Sequence, residues 1–279
     1  NNRAIAVGFQ PDFSWTQTRT QYGNGSELFD SVRGAGKSLK SETTAAEVTN
    51  KSSGYIGAFT STGFTTADGS SSNSSINYND GGGQSYVAWN WKAGTAFSND
   101  ASATSVGDTD SEGQVNTKAG FAIIKWTSGG SSVVAHGLGK KPDFIIIKSR
   151  DGTENWLVGN SATGFANRTK LNTNDAEGSS SAFSGGVTTT TFTENIAASS
   201  YDKIGYLFAN TEGYCKAGSY TGNGNNDGPF VFTGFRPAFI LVKDTSVANG
   251  WRIADNKRPA DFNVINESLS PSSAATAST

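Results

Sequence analysis

Few residues in this chain are placed to do chemistry. Its only histidine, His136, stands in Val133-Val-Ala-His-Gly-Leu-Gly139, with Asp143 and several serines close by. A Ser-His-Asp hydrolase also needs a nucleophile raised on a sharp turn, and no Gly-x-Ser-x-Gly elbow raises one. His136 therefore reads as a turn-side residue. Ser31-Val-Arg-Gly-Ala-Gly-Lys-Ser38 ends like a phosphate loop. It lacks the first glycine and a leading apolar strand, so it reads as a surface turn. Asp108-Thr-Asp-Ser-Glu-Gly113 opens like a calcium loop, but the terminal ligand position holds Ala119 and helical flanks are missing. A solvated acidic segment is the plain reading, with a different kind of calcium site left open. The 24 acidic residues advertise no glycosidase pair.

Sugar recognition has better candidates. Lectin-like sites stack an aromatic ring on a pyranose and ring it with Asn, Asp and Gly loops. Trp126, Trp156 and Trp251 could serve, and Tyr220-Thr-Gly-Asn-Gly-Asn-Asn-Asp-Gly228 supplies Tyr220, Asn223, Asn225 and Asp227. Trp156 and Trp251 follow a repeated phrase at the same distance, which equally suits a core or inter-sheet role. Turns use the same residues as glycan loops.

That phrase organises the chain. Gly8-Phe-Gln-Pro11-Asp-Phe13 returns as Gly137-Leu-Gly-Lys-Lys-Pro142-Asp-Phe144 and as Gly234-Phe-Arg-Pro237-Ala-Phe239, using three of the six prolines. Proline suits strand entry and spoils a strand centre, so each phrase reads as a turn leading into a strand. Leu39, Leu171 and Ile265 follow as landmarks, and Trp126-Thr127 and Tyr220-Thr221 precede the second and third copies. Two copies close alike: Val87/Trp89/Trp91 and Ile204/Tyr206/Phe208 alternate on one strand face. The third has no such ending, and the first has little lead-in, so both ends are expected to be cut from a longer polypeptide. Asp12 and Asp143 hold one repeat position that Ala238 takes in the third copy. A turn or cap role for that carboxylate follows, rather than catalysis.

The elements that must position these residues read as short strands between turns, an all-β fold of tandem β-sandwich modules of jelly-roll or lectin-like type. The boundaries are 1–94 for the first module, 95–119 for a polar linker, 120–213 for the second module and 214–279 for the third. Thr43–Val48 is the best helix candidate, of about two turns. Ser70–Ser75, Gly81–Gly83 and Gly222–Gly228 read as loops. A formal charge of −2 with no basic block argues against nucleic acid. Nothing long and apolar predicts membrane insertion. The one cysteine, Cys215, excludes an internal disulfide and a multi-cysteine metal site. No cofactor or metal is implied.

Several motifs resemble a known family. Leu28-Phe-Asp-Ser-Val-Arg-Gly-Ala-Gly-Lys37, His-Gly-Leu-Gly-x-x-Pro-Asp-Phe-Ile-Ile, Gly-Ser-Tyr-Thr-Gly-Asn-Gly and Asp-Gly-Pro-Phe-Val-Phe-Thr-Gly-Phe-Arg-Pro-Ala-Phe are similar to a repeat domain of tail-fibre and other virion appendage proteins of tailed bacteriophages, especially marine and cyanobacterial ones. The resemblance covers nearly the whole chain outside the linker. It implies a non-enzymatic virion structural protein on the particle surface, assembled in the host cytoplasm, most naturally a tail fibre used in host attachment. It also implies partners: further copies in a homotrimer, other virion proteins, and a host surface glycan or receptor. A capsid-decorating fibre and a polysaccharide depolymerase are the alternatives.

Overall fold

The computed structural model describes residues 3–20, 25–70, 84–196, 200–258 and 267–274. Ile265, the loop residues 71–75 and Gly81–Gly83 lie outside them. The protein is all-β. The first repeat runs β1 (Arg3–Ala6), β2 (Phe13–Thr18), β3 (Glu27–Asp30), β4 (Lys37–Lys40), β5 (Val48–Thr49), β6 (Tyr55–Thr60), β7 (Gly63–Ala67) and β8 (Tyr86–Trp91). Next come β9 (Thr95–Asn99), α1 (Ala101–Thr104) and β10 (Ser111–Asn116). The second repeat holds β11 (Phe121–Ser128), β12 (Ser131–Ala135), β13 (Phe144–Ser149), β14 (Leu157–Asn160), β15 (Asn167–Lys170), β16 (Gly178–Ser179), β17 (Thr191–Asn195) and β18 (Tyr201–Phe208). The third contributes β19 (Phe239–Val242) and β20 (Arg252–Asp255).

Each phrase opens a strand, as its proline demands. The strands it opens, β2, β13 and β19, occupy the same place in three sheets. The orders are β5-β4-β3-β2-β8, then β16-β15-β14-β13-β18 continued by β11-β10-β9, and finally β19-β20. Register is matched as well: Phe13 stands opposite Asp30 and Trp91, Phe144 opposite Asn160 and Phe208, Phe239 opposite Asp255. A second layer, β1-β7-β6 or β12-β17, packs behind the first two sheets and makes them sandwiches.

Three sequence expectations change. Residues 95–119 are no exposed linker, because β9 and β10 pair with each other and extend the second sheet through β11. Thr43–Val48 forms no helix: a bend at Thr43 is followed by irregular chain up to β5, which begins at Val48, and Glu47 N donates to Arg150 O at 2.6 Å. Leu171 is buried, but the residue level with Leu39 is Thr169, opposite Val158. In the third repeat Leu269, bridged to Ile253, takes the place of Leu39.

The repeats are joined into a ring by bonds that recur from one to the next. Trp156 of repeat two donates its indole N–H to Lys40 O of repeat one at 2.8 Å. Trp251 of repeat three donates to Lys170 O of repeat two at 2.9 Å. Lys40 and Lys170 both end the strand next to the central hairpin. In repeat one Ser26 replaces the tryptophan and holds Gln17, whose Nε2 reaches Ser270 O of repeat three at 3.4 Å. The closing strands follow the same cycle. Tyr206 OH donates to Asp30 Oδ2 at 2.7 Å, and Trp89 Nε1 to Asp255 Oδ2 at 3.0 Å. One shared apolar core lies between the repeats, where Phe13 stacks on Tyr206 with centroids 4.4 Å apart and Trp91 meets Phe239 edge-on at 5.2 Å.

Candidate functional site

The phrase carboxylates are structural. Asp12 is buried, and its Oδ2 accepts from Ala93 N at 2.9 Å and Gly94 N at 2.7 Å, while Ser31 Oγ donates to Oδ1 at 3.2 Å. Asp143 repeats this with Asn210 N at 2.7 Å and Ser161 Oγ at 2.8 Å. Each therefore clamps the chain leaving its closing strand to the turn after the neighbouring hairpin strand. Ala238 keeps only the backbone part, its carbonyl accepting from Asn256 N.

Below that turn sits a second repeated device. Arg33 is fully buried against Asp30, donates to Leu28 O at 2.8 Å and reaches Glu47 at 3.1 Å. Arg258 does the same with Asp255 and Ile253 O. Burial alone would pull Arg33 down, but Asp30, Tyr206 and Glu47 outweigh it and hold the guanidinium above its ordinary range. The Ser31–Ser38 stretch is thus a turn between β3 and β4 built on an ion pair, with no strand-to-helix phosphate cradle.

His136 is buried behind β12. Its Nδ1 accepts from Leu138 N at 3.2 Å, its Nε2 faces Thr188 O at 3.4 Å, and burial pushes its pKa down to about 4. Its ring is consumed by the turn rather than aimed at a serine.

The acidic stretch from Asp108 lines a cleft of about 800 Å³ with Asp100, Asp110, Glu112, Asp202, Lys125 and Arg150. Its acids are committed to local structure. Asp100 caps α1 through Ala103 N at 3.0 Å, Asp108 accepts from Val133 N at 2.6 Å, and Asp110 from Ala101 N at 2.8 Å. Glu112 pairs with Lys125 at 2.8 Å. Among the described residues no group of three or more His, Cys, Asp or Glu is arranged to hold a metal ion.

The six proposed ligand-binding residues divide. Trp126 is buried, with its indole N–H on Glu194 Oε1 at 3.2 Å and its ring edge-on to Phe192. Trp156 is buried at the contact with repeat one. Neither offers a face for stacking: each indole fills a core position and satisfies its N–H there. Recurrence of Trp156 and Trp251 was the signal for that role. Tyr220, Asn223, Asn225 and Asp227 do lie together on one exposed loop. Asn223 Nδ2 donates to Asp227 O at 2.7 Å, Asn225 N to Asn223 Oδ1 at 3.1 Å, and Asp227 N to Asn225 Oδ1 at 3.2 Å. The loop holds its own backbone while presenting amides and a carboxylate to solvent. Sequence reasoning missed the adjoining Phe230 and Phe232, which are 89% and 77% exposed.

Fold and site together define an all-β repeat protein in which buried polar side chains cap turns and tie three repeats together, with one exposed polar and aromatic loop. The chain belongs to the family described as a domain of unknown function, DUF7483, whose model matches residues 1–279. No curated protein and no solved structure matches the chain. No helix among the described residues is long and apolar enough to cross a membrane.

Proposed function

We propose that this protein is a structural module of a bacteriophage surface appendage, a tail fibre in the first instance, whose loop from Tyr220 to Gly228 contacts a host surface glycan. The observation that carries the reading is the self-bonded loop: the side chains of Asn223 and Asn225 bond back to the loop's own backbone at Asn225 and Asp227. A preorganised polar loop loses little conformational freedom on binding, which favours weak, specific contacts multiplied by avidity. The motif resemblance to tail-fibre repeats supplies the setting. The phrase carboxylates act as clamps, which favours a scaffold over a depolymerase.

The test has two parts. Labelled antibody against the protein, imaged on virions, should decorate the tail; decoration of the capsid would move the protein to the head. Asn223→Ala and Asp227→Ala chains should lose binding to intact host cells while keeping the parent's unfolding curve. Release of reducing sugar from host polysaccharide would refute the non-enzymatic reading.

A further inference from the structure

Asparagine followed by glycine occurs at Asn24–Gly25, Asn223–Gly224 and Asn249–Gly250. In such a pair the backbone can attack its own side chain. The glycine nitrogen, with no Cβ beside it, reaches the asparagine Cγ and closes a five-membered succinimide. In sequence the three pairs are equal; the fold separates them. Gly25 is buried, and a Cβ there would run into the Glu42 carboxylate. Gly250 is half-buried, and a Cβ there would lie 3.3 Å from Asn174 Oδ1 and 3.4 Å from Ser272 Oγ. It also precedes Trp251, whose indole is fixed on Lys170 O. At both places ring closure would have to move packed neighbours. Gly224 lies in the exposed loop with a left-handed φ of +68°, and nothing stands within 4 Å of the position of a Cβ.

Hydrogen bonds add direction. Asn225 N donates to Asn223 Oδ1 at 3.1 Å, so a donor already faces the oxygen on which negative charge gathers during attack. Asn223 Nδ2 donates to Asp227 O at 2.7 Å, tying the start of the loop to its end.

The structure assigns Asn223–Gly224 as a self-modification site, where deamidation opens the loop. The deprotonated Gly224 nitrogen bonds to Asn223 Cγ, the Cγ–Nδ2 bond breaks, and that nitrogen leaves as ammonia. Water then cleaves one of the two imide C–N bonds, giving aspartate or isoaspartate. Water is consumed and ammonia released, and no other reactant is needed. The product has no Nδ2 donor for Asp227 O and places a second carboxylate on the loop of Asp227. Isoaspartate also lengthens the backbone by a methylene. Glycan contact at this loop is the reading given above; a loss of contact with age rests on that reading, whereas the modification does not.

The test ages the full protein in mildly alkaline buffer, which favours the deprotonated amide, and digests it with trypsin. Peptides 20–33, 217–243 and 244–252 then report the three pairs separately by mass spectrometry. Asn223 should exchange NH2 for OH at least about tenfold faster than Asn24 or Asn249. In urea the three rates should converge, because the difference lies in the fold. Gly224→Asn, which still tolerates left-handed backbone, should slow the reaction about tenfold or more. Equal rates in the folded protein, or an Asn223 that stays unmodified, overturns the proposal. Aged protein and Asn223→Asp should both bind intact host cells about threefold or more weakly than fresh protein. Aged protein that binds as well as fresh overturns the opening of the loop. Fresh protein that does not bind refutes the glycan reading and leaves the tryptic rates to decide the modification.

Discussion

Asp12→Ala should destabilise the whole protein, although the residue touches no cleft. The carboxylate accepts from two backbone N–H groups at 2.9 and 2.7 Å and from one hydroxyl at 3.2 Å. A hydrogen bond to a charged group contributes about 1.5–3 kcal/mol, and alanine would leave the buried Ala93 N–H without an acceptor. The three bonds are not additive, so a total of about 3–5 kcal/mol is expected. In urea, followed by tryptophan fluorescence, that loss lowers the midpoint by about 1 M or more. Asp12→Asn, which keeps the oxygen but not the charge, should fall between. Ala238→Asp is the internal control. Its site has no closing-strand exit to clamp among the described residues, so stability should change by less than about 0.5 kcal/mol. An Asp12→Ala protein as stable as the parent would refute the clamp, and would revive a role for this carboxylate outside the fold.

Three further outcomes follow from buried polar groups. His136, the one histidine, should give a single proton-NMR titration near its depressed pKa of about 4 rather than the usual 6.5. The unfolded chain takes up that proton first, so His136 adds to stability above about pH 6.5 and that contribution is lost between pH 6.5 and 4, by up to about 3 kcal/mol. His136→Gln should flatten the slope in that window; a titration near 6.5 contradicts the burial argument. Arg33→Met strands Asp30 in the core and should cost about 3–5 kcal/mol in urea unfolding. Adding Asp30→Leu should recover part of the loss, and strict additivity would deny the pairing. Trp156→Phe and Trp251→Phe each leave a lysine carbonyl without its indole donor, so each should cost about 1–3 kcal/mol by the same assay. A large cost for one and none for the other would break the equivalence of the ring contacts.

What was legible in the sequence is what local chemistry fixes. Pro11, Pro142 and Pro237 mark strand entry because a ring-locked φ and a missing N–H allow little else there. The alternations ending in Trp91 and Phe208 mark strands with one face in a core. Ala238 in place of Asp12 and Asp143 was enough to class the carboxylate as a cap. The polar stretch 95–119 was misread because β9 and β10 lie at the margin of the sheet. There Ser111-Glu-Gly-Gln-Val-Asn116 buries only Ser111 and Val115 and is otherwise held by backbone pairing, so its composition is that of a loop. Trp126 and Trp156 looked like ligand aromatics because their acceptors, a glutamate and a main-chain carbonyl, come from distant segments. A carbonyl acceptor leaves no mark in sequence. The apolar character of Phe230 and Phe232 likewise predicts burial, and both are exposed in the structure.

Ring closure bears on how the repeats hold together. In a linear array each repeat leans on its neighbours, and stability approximates a sum of repeat and interface terms. Here repeat three buries Trp251 in repeat two and receives Trp89 from repeat one, while repeat one reaches Ser270 through Gln17. Each repeat thus completes part of the core of another, and the apolar cluster draws on all three. Loss of one repeat would open two seams rather than one, and would leave Asp255 or Asp30 without its donor. Among its described residues the third repeat shows the hairpin β19–β20 and the bridge of Ile253 to Leu269, and a lone two-stranded hairpin is marginal in water. Its native shape depends on Trp89, Lys170 O and Gln17, supplied by the other two.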